Sequence, residues 1–264
     1  MKLLTRSTQR VGCALPEQIM WAGRTLSGVD RFGKWVTTSL DGWWDSPDIK
    51  GESTDRPNGD GEFDLPVYNQ ARLITIGGNF HADSHEQMHE AMNFFTGAMS
   101  GRFQTSGHGS IQWADAKRNS GVKFTPVTDT FAQWQVRLKC VDPLKYGNVN
   151  TYTIPSGSSY TTVFHRGNAV GYPTVTVSGS FPGGYVLQSS GGAEYRVTTA
   201  LGATPHTIDM STGLLVRNGS VVSGGVTRAD LWRIQGGSLA TDMRLQPITT
   251  GSGTAAVTLL DTYI

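Results

Sequence analysis

The sequence predicts a mostly β protein, and three observations carry that prediction. Its 264 residues include 33 glycines, a supply that suits tight turns between short strands. Charged residues make up only 16% of the chain, while Ser, Thr, Val and aromatics fill much of the remainder, a mixture that favours strands over long helices. The third observation is a clean alternation in "FAQWQVRLKCVDP", Phe131 to Pro143. From Ala132 onward it sets Ala132, Trp134, Val136, Leu138 and Cys140 against Gln133, Gln135, Arg137 and Lys139. That is one buried face and one wet face at a period of two.

The length allows one large domain or two of ordinary size. All lysines lie at or before Lys145, and the basic residues after it are six arginines. This shift, with the Pro and Gly of "DPLKYGNVNTY" (Asp142 to Tyr152), marks a domain boundary. The chain therefore divides into an N-terminal domain, 1–147, and a C-terminal domain, 148–264.

In the first domain, "RLITIGGNF" (Arg72 to Phe80) is a β-rich run closed by a glycine pair. A helix follows at about 84–100. Asp83 or Ser84 can cap its start, with Glu86 or Gln87 at the reciprocal position. Met88, Ala91, Met92, Phe95 and Met99 form one apolar stripe, and Gly101 stops it. Asp41 to Leu65 reads as a long loop rich in Gly, Asp and Pro, and long irregular segments in compact domains are usually functional arms. Its acidic spacing does not fit an EF-hand, because Pro57 falls where a ligand belongs after Asp55.

The second domain reads as a β-sandwich of short strands separated by turns. The strands are expected in "YPTVTVSGSF", "GYVLQSS", "AEYRVTTAL", "HTIDMSTGLLVRNGSVV", "ADLWRIQGG", "DMRLQPI" and "GTAAVTLLDTYI". Asn218-Gly219, flanked by apolar residues, signals a hairpin.

The sequence contains a literal H-E-x-x-H, His85 to His89, which on a helix is a zinc-protease signature. Here His85 would fall in the first turn, Glu90 follows His89 directly, and Phe95 stands where a metzincin carries its third histidine. No glutamate occurs between Glu90 and Glu194, which removes the usual third ligand of the other large class. His81, His85 and His89 recur at four-residue spacing, so incidental metal binding stays open, but the motif reads as surface histidines beside the apolar stripe. A nucleophile elbow, a Walker loop and a dinucleotide fingerprint are all absent from the sequence. Cys140, on the face of Trp134 and Leu138, reads as core, and Cys13 with Cys140 reads as two buried thiols of a reducing cytosol. No catalytic, cofactor-binding or metal residues are therefore assigned, and the chain is not expected to be an enzyme.

A net charge of +1 offers no field to recruit nucleic acid or an anionic membrane. No apolar run approaches the roughly 20 residues that span a bilayer. The N-terminus has no sustained apolar core and does not read as a signal peptide.

The order of features is more informative than any motif. The amphipathic strand ends in Asp142-Pro143 with Tyr146 close behind. The sandwich opens with Gly167, Asn168 and Ala169, then Tyr172, Pro173 and Thr174, and "TIDMSTGLLVRNG" (Thr207 to Gly219) follows. This succession, over nearly the whole chain, resembles the distal tail (Dit-like) proteins of phages with long non-contractile tails. The resemblance implies a galectin-like fold for the sandwich and a non-enzymatic structural protein. It implies a homo-oligomeric ring, usually of six copies, at the tail tip of the virion, made in the host cytoplasm. The ring would join the tail tube to the tail hub or fibre and the tape-measure protein. Trp43 and Trp44, in the long loop, read either as anchors between protomers or as two half-buried loop tryptophans. The competing class is a carbohydrate-binding module, with Trp232, Tyr185 or Tyr195 against a sugar and a host surface glycan as partner.

Overall fold

The computed structural model describes residues 18–51, 54–107, 109–237 and 240–264. Cys13 and the N-terminal stretch lie outside the described residues. The described residues form two compact units, one within 18–48, 71–111 and 115–141, the other within 49–70, 112–114 and 142–264. The long break in the chain thus falls between Val141 and Asp142, at the start of the segment where composition changes.

In the first unit, strands Ser100–Ser106, Gln18–Trp21, Arg24–Asp30, Gly33–Asp41, Arg72–Ala82 and Phe131–Cys140 lie side by side. The sheet then closes on itself, because Gln112–Arg118 neighbours the first of these and also pairs with the last, Leu138 opposite Arg118 and Lys139 opposite Lys117. Closure removes the exposed edges that an open sheet would present. The alternation in Phe131–Cys140 is realised: Ala132, Trp134, Val136, Leu138 and Cys140 are all buried. Trp134 packs edge-on against Trp35, 5.8 Å between ring centroids, and Trp35 lies 4.3 Å from Phe80.

The helix spans His85–Thr96 and seals this core, with Met88, Ala91 and Phe95 buried. Ser84 is its cap, its side chain accepting from the Gln87 amide at 3.2 Å, while Gln87 Oε1 accepts from the Asp83 amide. The helix is shorter than the stripe predicted. It ends at Gly97 rather than Gly101, and Met99 is 62% exposed. The cause is the strand that starts at Ser100; Gly97 and Ala98 close the last turn by donating to Asn93 and Phe95 carbonyls. No cation lies in that last turn, yet two arginines from strands serve it. Arg24 Nε donates to Phe94 O at 2.8 Å and Arg118 Nη1 to Thr96 O at 3.1 Å, satisfying orphan carbonyls at the negative end of the dipole.

The second unit is a two-layer sandwich. One layer runs Ser220–Val221, Leu215–Arg217, His206–Asp209, Thr174–Ser180, Ser252–Tyr263 and Lys145–Pro155. The other runs Thr161–Val163, Thr241–Pro247, Tyr185–Ser189, Glu194–Val197 and Val226–Ala229. Val175, Val177, Phe181, Leu187, Ile208, Leu245 and Val257 fill the space between. Asn218 (φ 49°) and Gly219 (φ 76°) are both left-handed, the geometry of a two-residue hairpin turn. One expected strand moves: in "ADLWRIQGG" the ladder ends at Ala229. Trp232 and Ile234 sit instead in an irregular segment, held by reciprocal bonds between Gly171 and Ile234 of 2.9 and 2.8 Å.

Candidate assembly surfaces

The long loop divides into two parts. Its first part, Gly42 to Asp45, is tied down by Arg72, which is only 1% exposed and donates Nη1 to the carbonyls of Gly42, Trp43 and Asp45. Burial lowers the Arg72 pKa, and the nearby Cys140 and Asp45 oppose that shift. Gly42 is required there: at φ 80° a Cβ would stand 2.0 Å from Leu73 O. Trp43 is thereby turned inward, fully buried on Phe103 at 4.8 Å with Nε1 donating to Thr105 Oγ1 at 3.0 Å. Trp44 remains 46% exposed.

The second part is an arm rather than an irregular loop, and it extends past Leu65 to Gln70. Ile49–Lys50 pairs with Tyr68–Asn69, and Asp55 bridges Glu62 further out. Phe63 N donates to Thr54 O at 2.9 Å and Gln70 Nε2 to Ile49 O at 3.1 Å. The arm displays Ile49, Phe63, Leu65, Val67 and Tyr68, each between 41% and 67% exposed. Two-residue strands add little stability on their own.

The histidine motif begins with the first residue of the helix. His85 Nε2 and His89 Nε2 are 3.1 Å apart, and His85 Nδ1 lies 3.8 Å from Asp129 Oδ1. His81 stacks on Phe131 instead, 4.8 Å between centroids. Among the described residues no group of three or more His, Cys, Asp or Glu is arranged to hold a metal.

The three aromatic residues weighed for sugar binding all enter the sandwich core. Tyr185 and Tyr195 are fully buried and Trp232 is 8% exposed. Tyr195 Oη donates to Gly213 O at 2.8 Å, and Tyr185 Oη meets His206 Nδ1 at 3.2 Å. Burial pushes both phenols up. The outer face carries a polar ladder that sequence reasoning missed. Arg244 Nε donates to Gln188 Oε1 at 2.7 Å, Gln188 Nε2 to Glu194 Oε2 at 3.1 Å, and Arg196 Nε to Glu194 Oε1 at 2.7 Å. The Arg196 hydrogen bond, aided by Gln188 and Arg228, holds the Glu194 carboxyl below its usual range despite burial. Arg244 also lies over the Tyr160 ring, 4.7 Å from its centroid. Cross-strand register brings Arg244, Gln188 and Glu194 together, while Arg196 follows Glu194 by two residues on the same strand; their sequence signal is the polar half of the alternation in "YVLQS", "AEYRV" and "DMRLQ".

Three of the residues that carry the family resemblance, Asp142, Asn168 and Asp209, hold turns and junctions through their side chains. The Asp142 carboxylate accepts from the Leu144 amide at 3.0 Å and from Tyr146 Oη. Asn168 Oδ1 accepts from the Ile264 amide at 2.8 Å. Asp209 accepts from Ser211 N and Oγ and from Thr212 Oγ1. These bonds, against the opposing effect of burial, lower its pKa.

A closed β-barrel sealed by one helix, followed by a two-layer sandwich, defines a mainly β protein of two units. No protein-family model and no curated protein matches the sequence. Among solved structures, the fold is similar to that of the Dit protein (gp 19.1) of phage SPP1, described as a paradigm of the hub adsorption apparatus in phages infecting Gram-positive bacteria. The TM-score is 0.73 at 16% identity, covering 94% of this chain and 99% of that one. More distant similarity extends to the phage P2 baseplate in its activated conformation with Ca and with Sr. There the TM-scores are 0.46 and 0.44, each at 8% identity, over 86% and 84% of this chain and 90% and 89% of those chains.

Proposed function

We propose that this chain is a non-enzymatic structural protein of a phage tail tip, in the virion, that self-associates into a ring. In that reading the ring, of six copies, joins the tail tube to the tail hub or fibre and the tape-measure protein. The observation that carries it is the end-to-end match to SPP1 Dit, which spans both units. The arm supports it as well. A cyclic ring uses two different complementary surfaces on each protomer, and an arm with five exposed apolar side chains has the character of one of them. Trp43 has no surface to contribute, so a contact by the tryptophan pair is made through Trp44.

The test is negative-stain microscopy of the concentrated, purified protein, beside a variant with Phe63, Leu65 and Tyr68 changed to Ser. Closed rings in the native protein, and single particles of folded protein in the variant, are expected. Rings that persist in the variant would reassign the interface away from the arm, and a native protein that stays monomeric even with tail-tube protein present would refute the ring.

A second reading, capture of a host glycan by the sandwich, is supported by the half-buried Arg244 lying over the exposed Tyr160 ring. Glycan-array binding that Arg244→Ala abolishes would favour it.

A further inference from the structure

We infer that His85 and His89 form a surface site for one borderline transition-metal dication, such as Zn²⁺, Ni²⁺ or Cu²⁺. The site is non-catalytic and unrelated to protease chemistry, and it does not depend on the tail-tip reading. Its basis is geometric. Two imidazole nitrogens bound to one such ion at 2.0–2.1 Å are held about 2.9 to 3.4 Å apart for bond angles between square and tetrahedral. The two Nε2 atoms here are already 3.1 Å apart, on rings that meet nearly edge-to-face at 86°. The helix provides that approach, because residues four apart lie one above the other on the same face.

The surroundings suit the ion. His85 Nδ1 faces Asp129 Oδ1 at 3.8 Å. This is the position of the carboxylate that orients a ligating imidazole and raises its basicity. In the metal-free chain the short Nε2 contact requires one of the two nitrogens to carry a proton. Coordination needs both lone pairs, so that proton shifts to a ring Nδ1; for His85, the exposed Asp129 carboxylate stands 3.8 Å from that nitrogen, close enough to take the hydrogen bond after a small side-chain movement. The helix N-terminus opposes a cation, but this effect is screened at an exposed position, and Glu86 in the first turn together with Asp129 counters it. His81 takes no part, since its ring lies on Phe131. Two protein ligands leave the remaining positions to water, which makes the site open and exchangeable. Imidazole ligands select borderline metals over Mg²⁺ or Ca²⁺, and the affinity order favours copper and nickel.

The experiment is isothermal titration of tag-free, full-length protein with ZnCl₂, NiCl₂ and MgCl₂ in a non-chelating buffer. His85→Gln, His89→Gln and Asp129→Asn are titrated alongside. One equivalent of zinc or nickel per chain is expected, with no response to magnesium. Either histidine variant should weaken binding at least tenfold, and Asp129→Asn should weaken it about tenfold. His85 is largely exposed and Met88, Ala91 and Phe95 carry the packing, so circular dichroism should show the variants folded. No zinc or nickel binding in the native protein would overturn the site, as would binding that the double histidine variant retains. Weakening by the histidine variants without any effect of Asp129→Asn would keep the chelate and remove the orienting role of Asp129.

Discussion

Trp43 and Trp44 are adjacent in sequence and opposite in environment. The difference comes from Arg72, whose guanidinium gathers three carbonyls of the turn and fixes which ring faces inward. A sequence shows both rings but not the arginine that sorts them, because the partners are 27 to 30 positions apart. The same applies to Tyr185, Tyr195 and Trp232, for which alternation alone does not say which side of a strand meets the opposing sheet. His206 is a residue on which a quantity can be predicted. It is fully buried, bonded to Tyr185 Oη through Nδ1, and its Nε2 has no hydrogen-bond partner. Burial, reinforced by the charge of Arg217, lowers its pKa. The unfolded chain therefore takes up a proton at His206, near pH 6.5, before the folded chain does. Stability from this group is complete above that pH and is lost as the pH falls toward the depressed folded value, with a slope of at most about 1.4 kcal/mol per unit. Urea unfolding between pH 7.5 and 5 should show this decline, and His206→Gln, which keeps a partner for Tyr185 but cannot titrate, should flatten it. An unchanged slope in the variant would place the pH dependence elsewhere.

Whole elements were more legible than single side chains. The strand Phe131–Cys140 was visible because its period of two survives over ten residues, and Asn218-Gly219 because few residue pairs accept left-handed φ twice in succession. The helix was visible in type and start but not in length. Its apolar stripe continues to Met99, and only the competing strand at Ser100 ends it. Trp232 and Ile234 follow a strand pattern, whereas the segment is held by a bridge from Ile234 to Gly171, remote in sequence. The Ser84 cap gives an element-scale prediction. Ser84→Ala removes the acceptor for the Gln87 amide and should cost about 1 kcal/mol in urea unfolding. Ser84→Asp should restore most of the loss, since an aspartate caps as well and also favours the positive end of the helix. Equal losses in both variants would mean that the helix start is held by tertiary packing instead.

At the scale of the molecule, composition divided the chain within Asp142 to Tyr152, and the expected domains meet between 147 and 148. Contacts divide it between Val141 and Asp142, and the six residues between these positions can be tested. Lys145 pairs with Tyr263 and Tyr146 with Thr262, while the Asp142 carboxylate accepts from Leu144 and Tyr146. All of these groups belong to the second unit, and a register shift separates them from the regular ladder that resumes at Val149. A compositional boundary cannot see them, because a lysine and a tyrosine before a glycine look like the end of one domain as readily as the start of the next. We expect a fragment beginning at Asp142 to fold with one cooperative thermal transition, the core between its two sheets being complete within it. A fragment beginning at Asn148 should fold less stably by roughly 1–3 kcal/mol, the worth of a few net hydrogen bonds and of strand ends left unpaired. Calorimetry of the two fragments decides between the boundaries. Equal stability would put the working division at 147/148, and failure of both to fold would show that the sandwich needs residues 49–70 or 112–114 as well.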